Sequence, residues 1–272
     1  MGSTGKKRMW TGMLFVPPII VLIIVGPHAV LPAMVLLATY FGLREFFTLA
    51  LPHSRRVERL FGVGLGLSLS GLIALGGTGW MSLFLIFLLV SLSVLFMGTS
   101  RDLIPAVSNL GITLLGVLYV GFLLSHISLI RNMADGKVWA LFLITTVWAG
   151  DISAFSGGSL FGRHKLYPKI SPKKTVEGLI GAVVGSILTA LVFSQLFIPQ
   201  LNKGFCILAA IGLGLFGQMG DFTESMVKRS AQVKDSGSLF PGHGGMLDRL
   251  DSFLFSAPFL YYFLLYFLKE KP

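Results

Sequence analysis

Asp221, Glu224, Ser225 and Lys228 recur at i, i+3, i+4 and i+7, a spacing that puts all four side chains on one face of a helix. Asp248 and Asp251 repeat the i, i+3 pair of acids, and the stretch between, SGSLFPGHGG, supplies the Gly and Pro that break a helix and turn the chain back. Two helix ends bearing carboxylates would thus meet across a loop. Acids gathered at one point repel unless a cation lies among them. Carboxylate oxygens with no thiolate are hard donors, the set that suits Mg²⁺. Asp221, Glu224, Asp248 and Asp251 are therefore the candidate ligands, with Asp221 and Asp248 expected to share an ion; one or two cations would satisfy this set.

A second group of residues has the opposite charge. ISPKKTVEG, residues 170 to 178, ends a basic stretch where a new apolar run starts. Backbone N–H groups at a helix start, two lysines and two hydroxyls make a cradle for phosphate. This marks Ser171, Lys173, Lys174 and Thr175 as candidate substrate-binding residues, although the spacing is not that of a Walker loop. Taken alone, the lysines could equally be ordinary basic residues flanking a membrane span. Lys228, Arg229, Lys234 and Arg249 add cations beside the acids. Acids for a metal and bases for phosphates together point to phosphoryl or nucleotidyl transfer.

These residues stand in a chain of 272 residues that is 54% hydrophobic and only 12% charged. Residues 9 to 43, 60 to 100, 103 to 130, 178 to 202 and 252 to 268 carry no formal charge. Crossing the hydrocarbon layer takes roughly 20 apolar residues, so each stretch holds one span and the longest hold two. The expected fold is an all-α polytopic membrane protein of about nine transmembrane helices, near 11–26, 29–50, 60–76, 80–98, 104–130, 137–160, 176–199, 204–226 and 250–268. Pro17-Pro18 is expected to kink the first or make it re-entrant. Residues 1–135 would form an N-terminal region of about five spans, and 136–272 a catalytic region of about four.

With the N-terminus inside, 17 of the 22 Lys and Arg residues fall on inside loops and 5 on outside ones. The positive-inside bias therefore puts the N-terminus and the charged site in the cytoplasm, the chain being multi-pass in the cell (inner) membrane. The formal net charge of +10 follows from those loops and calls for no nucleic acid, whose recognition motifs are absent. Asp151 and Asp221 lie deep in apolar context, in TTVWAGDISAF and GLFGQMGDFTE. A carboxylate there costs about 2.5 to 3.5 kcal/mol even on the lenient insertion scale, and so marks function or a structural ion pair. The single cysteine, Cys206, excludes a disulfide framework and a thiolate zinc site.

SMVKRSAQVKDSGSLFPGHGGMLDRLD, residues 225 to 251, resembles the long signature of the phosphatidate cytidylyltransferases, the CDP-diacylglycerol synthases. The matching positions are Ser225, Lys228, Arg229, Lys234, Asp235, Gly237, Pro241, His243, Gly244, Gly245, Asp248, Arg249 and Asp251. The likeness covers residues 140 to 268, and the first five spans share only their hydrophobicity with the family. The resemblance implies transfer of CMP from CTP to phosphatidic acid, Mg²⁺-dependent, giving CDP-diacylglycerol and pyrophosphate. It implies catalytic roles for Asp221, Lys228, Asp248 and Asp251, and contact with substrate for Ser225, Arg229, Lys234, His243 and Arg249. CTP and membrane-borne phosphatidic acid are then the partners. Together with the small-xxx-small pair GAVVG (181 to 185) it leans toward a homodimer. A CTP-dependent polyprenol or dolichol kinase and, in another class, a cation transporter using Asp151 and Asp221 are the alternatives.

Overall fold

The computed structural model describes residues 17–52, 55–76, 78–100, 102–240 and 244–268. Among the described residues nine helices follow in order: α1 (residues 17–25), α2 (Val30–Ala50), α3 (Arg56–Gly76), α4 (Met81–Thr99), α5 (Leu103–Asn132), α6 (Gly136–Phe161), α7 (Val176–Phe197), α8 (Lys203–Ser230) and α9 (Leu247–Phe267). The eight from α2 onward are long and apolar enough to cross a membrane. The chain is a multi-pass membrane protein, in agreement with the nine expected spans. Residues 11–16 of the first expected span lie outside the described residues; Pro17 and Pro18 are helical.

Helices dominate because lipid offers no partner for a free N–H or C=O, so each crossing segment must close its own hydrogen bonds. Two helices are capped by their own N-cap side chains: Thr175 Oγ1 accepts from Gly178 N at 3.1 Å and Asn202 Oδ1 from Gly204 N at 2.7 Å. In α4 the buried residues are Phe84, Leu88, Leu92 and Phe96, one stripe at four-residue spacing. Leu83, Ile86, Phe87, Val90, Val94 and Met97 face outward, as a peripheral helix in lipid requires.

One feature departs from helices alone. Lys165–Tyr167 (β1) and Ser171–Thr175 (β2) form a short antiparallel hairpin, pairing Lys165 with Thr175 and Tyr167 with Ser171. Strands of three and five residues are too short to show an alternating pattern, so the sequence reads here only as a basic loop. The helices at the charged end also run further than expected. Lys228 ends up in the last turn of α8 and Asp248 in the first turn of α9.

Hydrogen bonds lace both ends of the bundle. At one end Arg55, just before α3, donates to Glu58 Oε1 (2.8 Å) and to Ser100 Oγ after α4 (3.1 Å). Arg229, near the end of α8, donates to the Ile170 carbonyl of the hairpin turn at 3.3 Å. At the other end Lys137 donates to the Ile24 carbonyl (3.0 Å) and Asn132 to the Ala74 carbonyl (3.1 Å). The hairpin and the α8–α9 loop thus share an end with the basic α2–α3 loop.

Helix contacts are closest where glycine removes the side chain. Gly181 of the GAVVG pair packs against α6, where an added Cβ would lie 2.7 Å from the Ser153 carbonyl oxygen. That pair is therefore used inside the chain and carries no argument for a dimer. Gly121 lies in the π-helical turn Val117–Phe122 of α5, and a Cβ there would stand 2.9 Å from the Gly66 carbonyl oxygen of α3. At Gly64 an added Cβ would meet nothing within 4 Å. Gly121→Val is expected to destabilise the detergent-solubilised protein by about 1 to 3 kcal/mol through overpacking, read as a lower melting midpoint. Gly64→Val should melt like wild type; equal shifts in both would show that the α3–α5 contact is not what sets stability.

Candidate active site

The charged face of α8 meets the start of α9 as the i, i+3 spacing requires. One oxygen from each of Asp221, Glu224 and Asp251 lies within 4.8 Å of the others. Gly220 makes this possible, because a side chain there would run into the backbone of Asp251 and Ser252. Glu224 is fully buried, and its Oε1 accepts no hydrogen bond among the described residues. An orphaned oxygen inside a group of three hard oxygens fits a divalent cation of the Mg²⁺ type, so Asp221, Glu224 and Asp251 are the residues that could hold one.

Asp248 stands outside this trio. Its Oδ1 accepts from Lys228 Nζ at 2.6 Å, and Lys228 also pairs with Glu224. Its Oδ2 accepts from Ser236 N (2.8 Å) and Gly245 N (2.8 Å) and lies 2.9 Å from Ser236 Oγ. Gly244, at φ +80, carries the turn, and a Cβ there would collide with that same carboxylate. The sharing expected of Asp221 and Asp248 thus takes another form: Asp248 reaches the trio through the Lys228 ammonium.

Lys174 closes the other side. Its Nζ lies 2.6 Å from Asp221 Oδ2 and 4.0 Å above the Phe222 ring. Strand β2 delivers it, and the hairpin carries Lys165, Ser171 and Lys173 to the wall of the same cavity, of about 620 Å³. Phe155, Leu179 and Phe222 give that cavity an apolar side. Asp151, in α6, lines it as well and accepts from Ser252 Oγ (3.1 Å) and Gln218 Nε2 (3.3 Å).

Several candidates have other partners. Thr175 lines the cavity too, though it is largely buried and also caps α7. Ser225 Oγ approaches Asp221 Oδ1 at 3.4 Å. Arg229 donates to the carbonyls of Ile170 and Val233, tying the hairpin to the end of α8. Arg229, Lys234 and Arg249 are exposed and are not among the residues lining the cavity. His243 lies outside the described residues.

Sequence reasoning missed Glu45 of α2, whose carboxylate grips the α8–α9 loop, and Lys165 on β1. Glu45 carried the signal that singled out Asp151, a carboxylate in an apolar run, but the adjacent Arg44 makes FGLREFF look like an ordinary span end.

Residues 6–267 match the cytidylyltransferase family. The phosphatidate cytidylyltransferase of Bacillus subtilis is 34% identical over 96% of this chain and 98% of its own. That of Staphylococcus epidermidis is 44% identical over 54% of this chain and 56% of its own. An uncharacterized protein of Escherichia coli K12 is 33% identical over 97% and 87%. The chain belongs to the cytidylyltransferase family, and the match takes in the N-terminal spans, where hydrophobicity alone had suggested a likeness.

Lys228 holds two carboxylates, one of them with no access to water. Lys228→Met should leave Glu224 as an uncompensated buried charge and cost about 3 to 5 kcal/mol, seen as loss of monodisperse protein in detergent. Adding Glu224→Gln should restore much of the yield. A double variant no better than the single one would show that the pair is not what holds the helices.

Proposed function

We propose that this protein is a phosphatidate cytidylyltransferase, transferring CMP from CTP to phosphatidic acid at the cytoplasmic face of the inner membrane. The observation that supports it best is the meeting of three carboxylates with hairpin lysines in one cavity, in a chain of the cytidylyltransferase family with relatives bearing that activity in their names. A phosphate oxygen of phosphatidic acid would attack the α-phosphorus of CTP. The new P–O bond forms as the bond to the β-phosphate breaks, and pyrophosphate leaves. The attacking phosphate is already largely ionised at neutral pH, so no strong general base is needed. The work is to bring two polyanions together in line.

Mg²⁺ held by Asp221, Glu224 and Asp251 would supply positive charge at the α-phosphate and the leaving group. Lys165 and Lys173, which have no ion-pair partner among the described residues, would take phosphate oxygens. Lys174 would hold Asp221 in place until an anion competes for the ammonium. The apolar side of the cavity suits the glycerol end of a lipid whose chains stay in the bilayer. The loops at this end belong to the basic set, which supports a cytoplasmic site. A cation transporter would have no use for the hairpin lysines, and a kinase would release CDP in place of pyrophosphate.

Purified protein given labelled CTP, phosphatidic acid and Mg²⁺ should release pyrophosphate and CDP-diacylglycerol in equal amounts. Asp221→Asn and Asp251→Asn should purify normally yet lose nearly all synthesis, and the double variant should be hardly worse than either, as for groups that act as a unit. Release of CDP, or normal turnover in Asp251→Asn at both limiting and saturating Mg²⁺, would overturn the reading. For sidedness, Ser238→Cys in a Cys206→Ala background should resist an impermeant thiol reagent applied outside intact cells. Ready labelling would place the site on the other face.

A further inference from the structure

We infer that Glu45, on α2 in the N-terminal half, is a positioning residue for Asp248 and thereby for the acidic site. Its carboxylate accepts from Met246 N on Oε1 (2.8 Å), and from Leu247 N and Ser236 Oγ on Oε2 (both 2.8 Å). Met246 and Leu247 stand at the start of α9, where the N–H groups have no partner within their own helix. Glu45 therefore caps α9 from a different helix, with its negative charge at the positive end of the helix dipole.

The grip passes directly to Asp248. The Ser236 hydroxyl bonded to Glu45 also lies 2.9 Å from Asp248 Oδ2, and its oxygen accepts from the Asp248 N–H at 3.3 Å. Ser236 N and Gly245 N complete the hold on Oδ2. The other oxygen, Oδ1, is left for Lys228, which in turn pairs with Glu224. A side chain at Gly237 or Gly245 would strike the Glu45 carboxylate, so the loop closes around it. Glu45 is not among the residues lining the cavity, so its role is to hold the loop rather than to touch substrate.

Glutamine at position 45 would present an amide donor to at least one N–H or O–H donor. The inference rests on cytidylyltransfer as the activity, so the test has one arm that does not need it. Hydrogen exchange of the full-length protein in detergent should show the Met246 and Leu247 amides opening at least tenfold faster in Glu45→Gln. In the CTP, phosphatidic acid and Mg²⁺ assay, kcat should fall about 10- to 100-fold, as for loss of a group that orients an active-site ligand, with KM for CTP little changed. Glu45→Asp, which keeps the carboxylate, should recover part of the kcat. Glu58→Gln serves as a control, since Glu58 is a buried acid paired with Arg55 at the same end of the bundle; it should lower the melting midpoint and leave kcat alone. Unchanged exchange at Met246 and Leu247 overturns the inference whatever the activity. So does a kcat within twofold of wild type alongside faster exchange. If Glu45→Gln does not fold, Ser236→Ala cuts the link to Asp248 and keeps both backbone bonds, and a normal kcat there overturns it. A wild-type protein that makes no CDP-diacylglycerol would instead count against the proposed activity, with the exchange result still reading the grip.

Discussion

Carboxylates are expensive inside a membrane bundle, and the arrangement of this protein follows from how that cost is met. Asp221, Glu224 and Asp251 crowd together, and Glu224 has no access to water. Desolvating an ion costs several kcal/mol unless opposite charge or hydrogen bonds replace its water. Here Lys174 and Lys228 supply the charge, and the loop N–H groups around Asp248 supply much of the hydrogen bonding. All of this sits at one end of the helices. The hairpin exists where it does because Lys174 must reach Asp221, and α8 must continue past Met226 for Lys228 to stand between Glu224 and Asp248.

Bringing these groups together demands that helices approach closely, and glycine provides the room. Gly220 lets α8 lie against the backbone of α9 beside the acids, while Gly157 and Gly181 do the same between α6 and α7. Close packing then fixes the rotation and depth of each helix, and with them the direction of every charged side chain. The N-terminal half is part of this construction, since a carboxylate on α2 holds the loop that holds Asp248. Helix α4, with its single buried stripe, is the contrasting case: it serves as an outer wall and carries no charge.

Much of this is legible in the amino-acid sequence. Charge-free runs locate the spans, because lipid forces each segment to satisfy its own backbone and so makes hydrophobicity and length nearly sufficient. The i, i+3 spacing places Asp221 with Glu224 and Asp248 with Asp251, since a helix determines which neighbours share a face. Gly and Pro in SGSLFPGHGG announce the turn between them. These are properties of adjacent residues in a uniform environment, and such properties can be read along a chain.

Tertiary structure decided the rest. Only packing set Asp251 beside Asp221 and turned Asp248 toward Lys228. Thr175 lines the cavity and at the same time caps α7, and Arg229 ties the hairpin to the end of α8. Glu45 reaches across about two hundred positions to Met246 and Leu247, a contact that no local pattern encodes. The sequence by itself determined which segments cross the membrane and which side chains share a helix face, because both depend on local spacing and on the solvent. Which oxygen faces which ammonium depends on the angle and depth of helices from distant parts of the chain, and those exist only once the helices have packed.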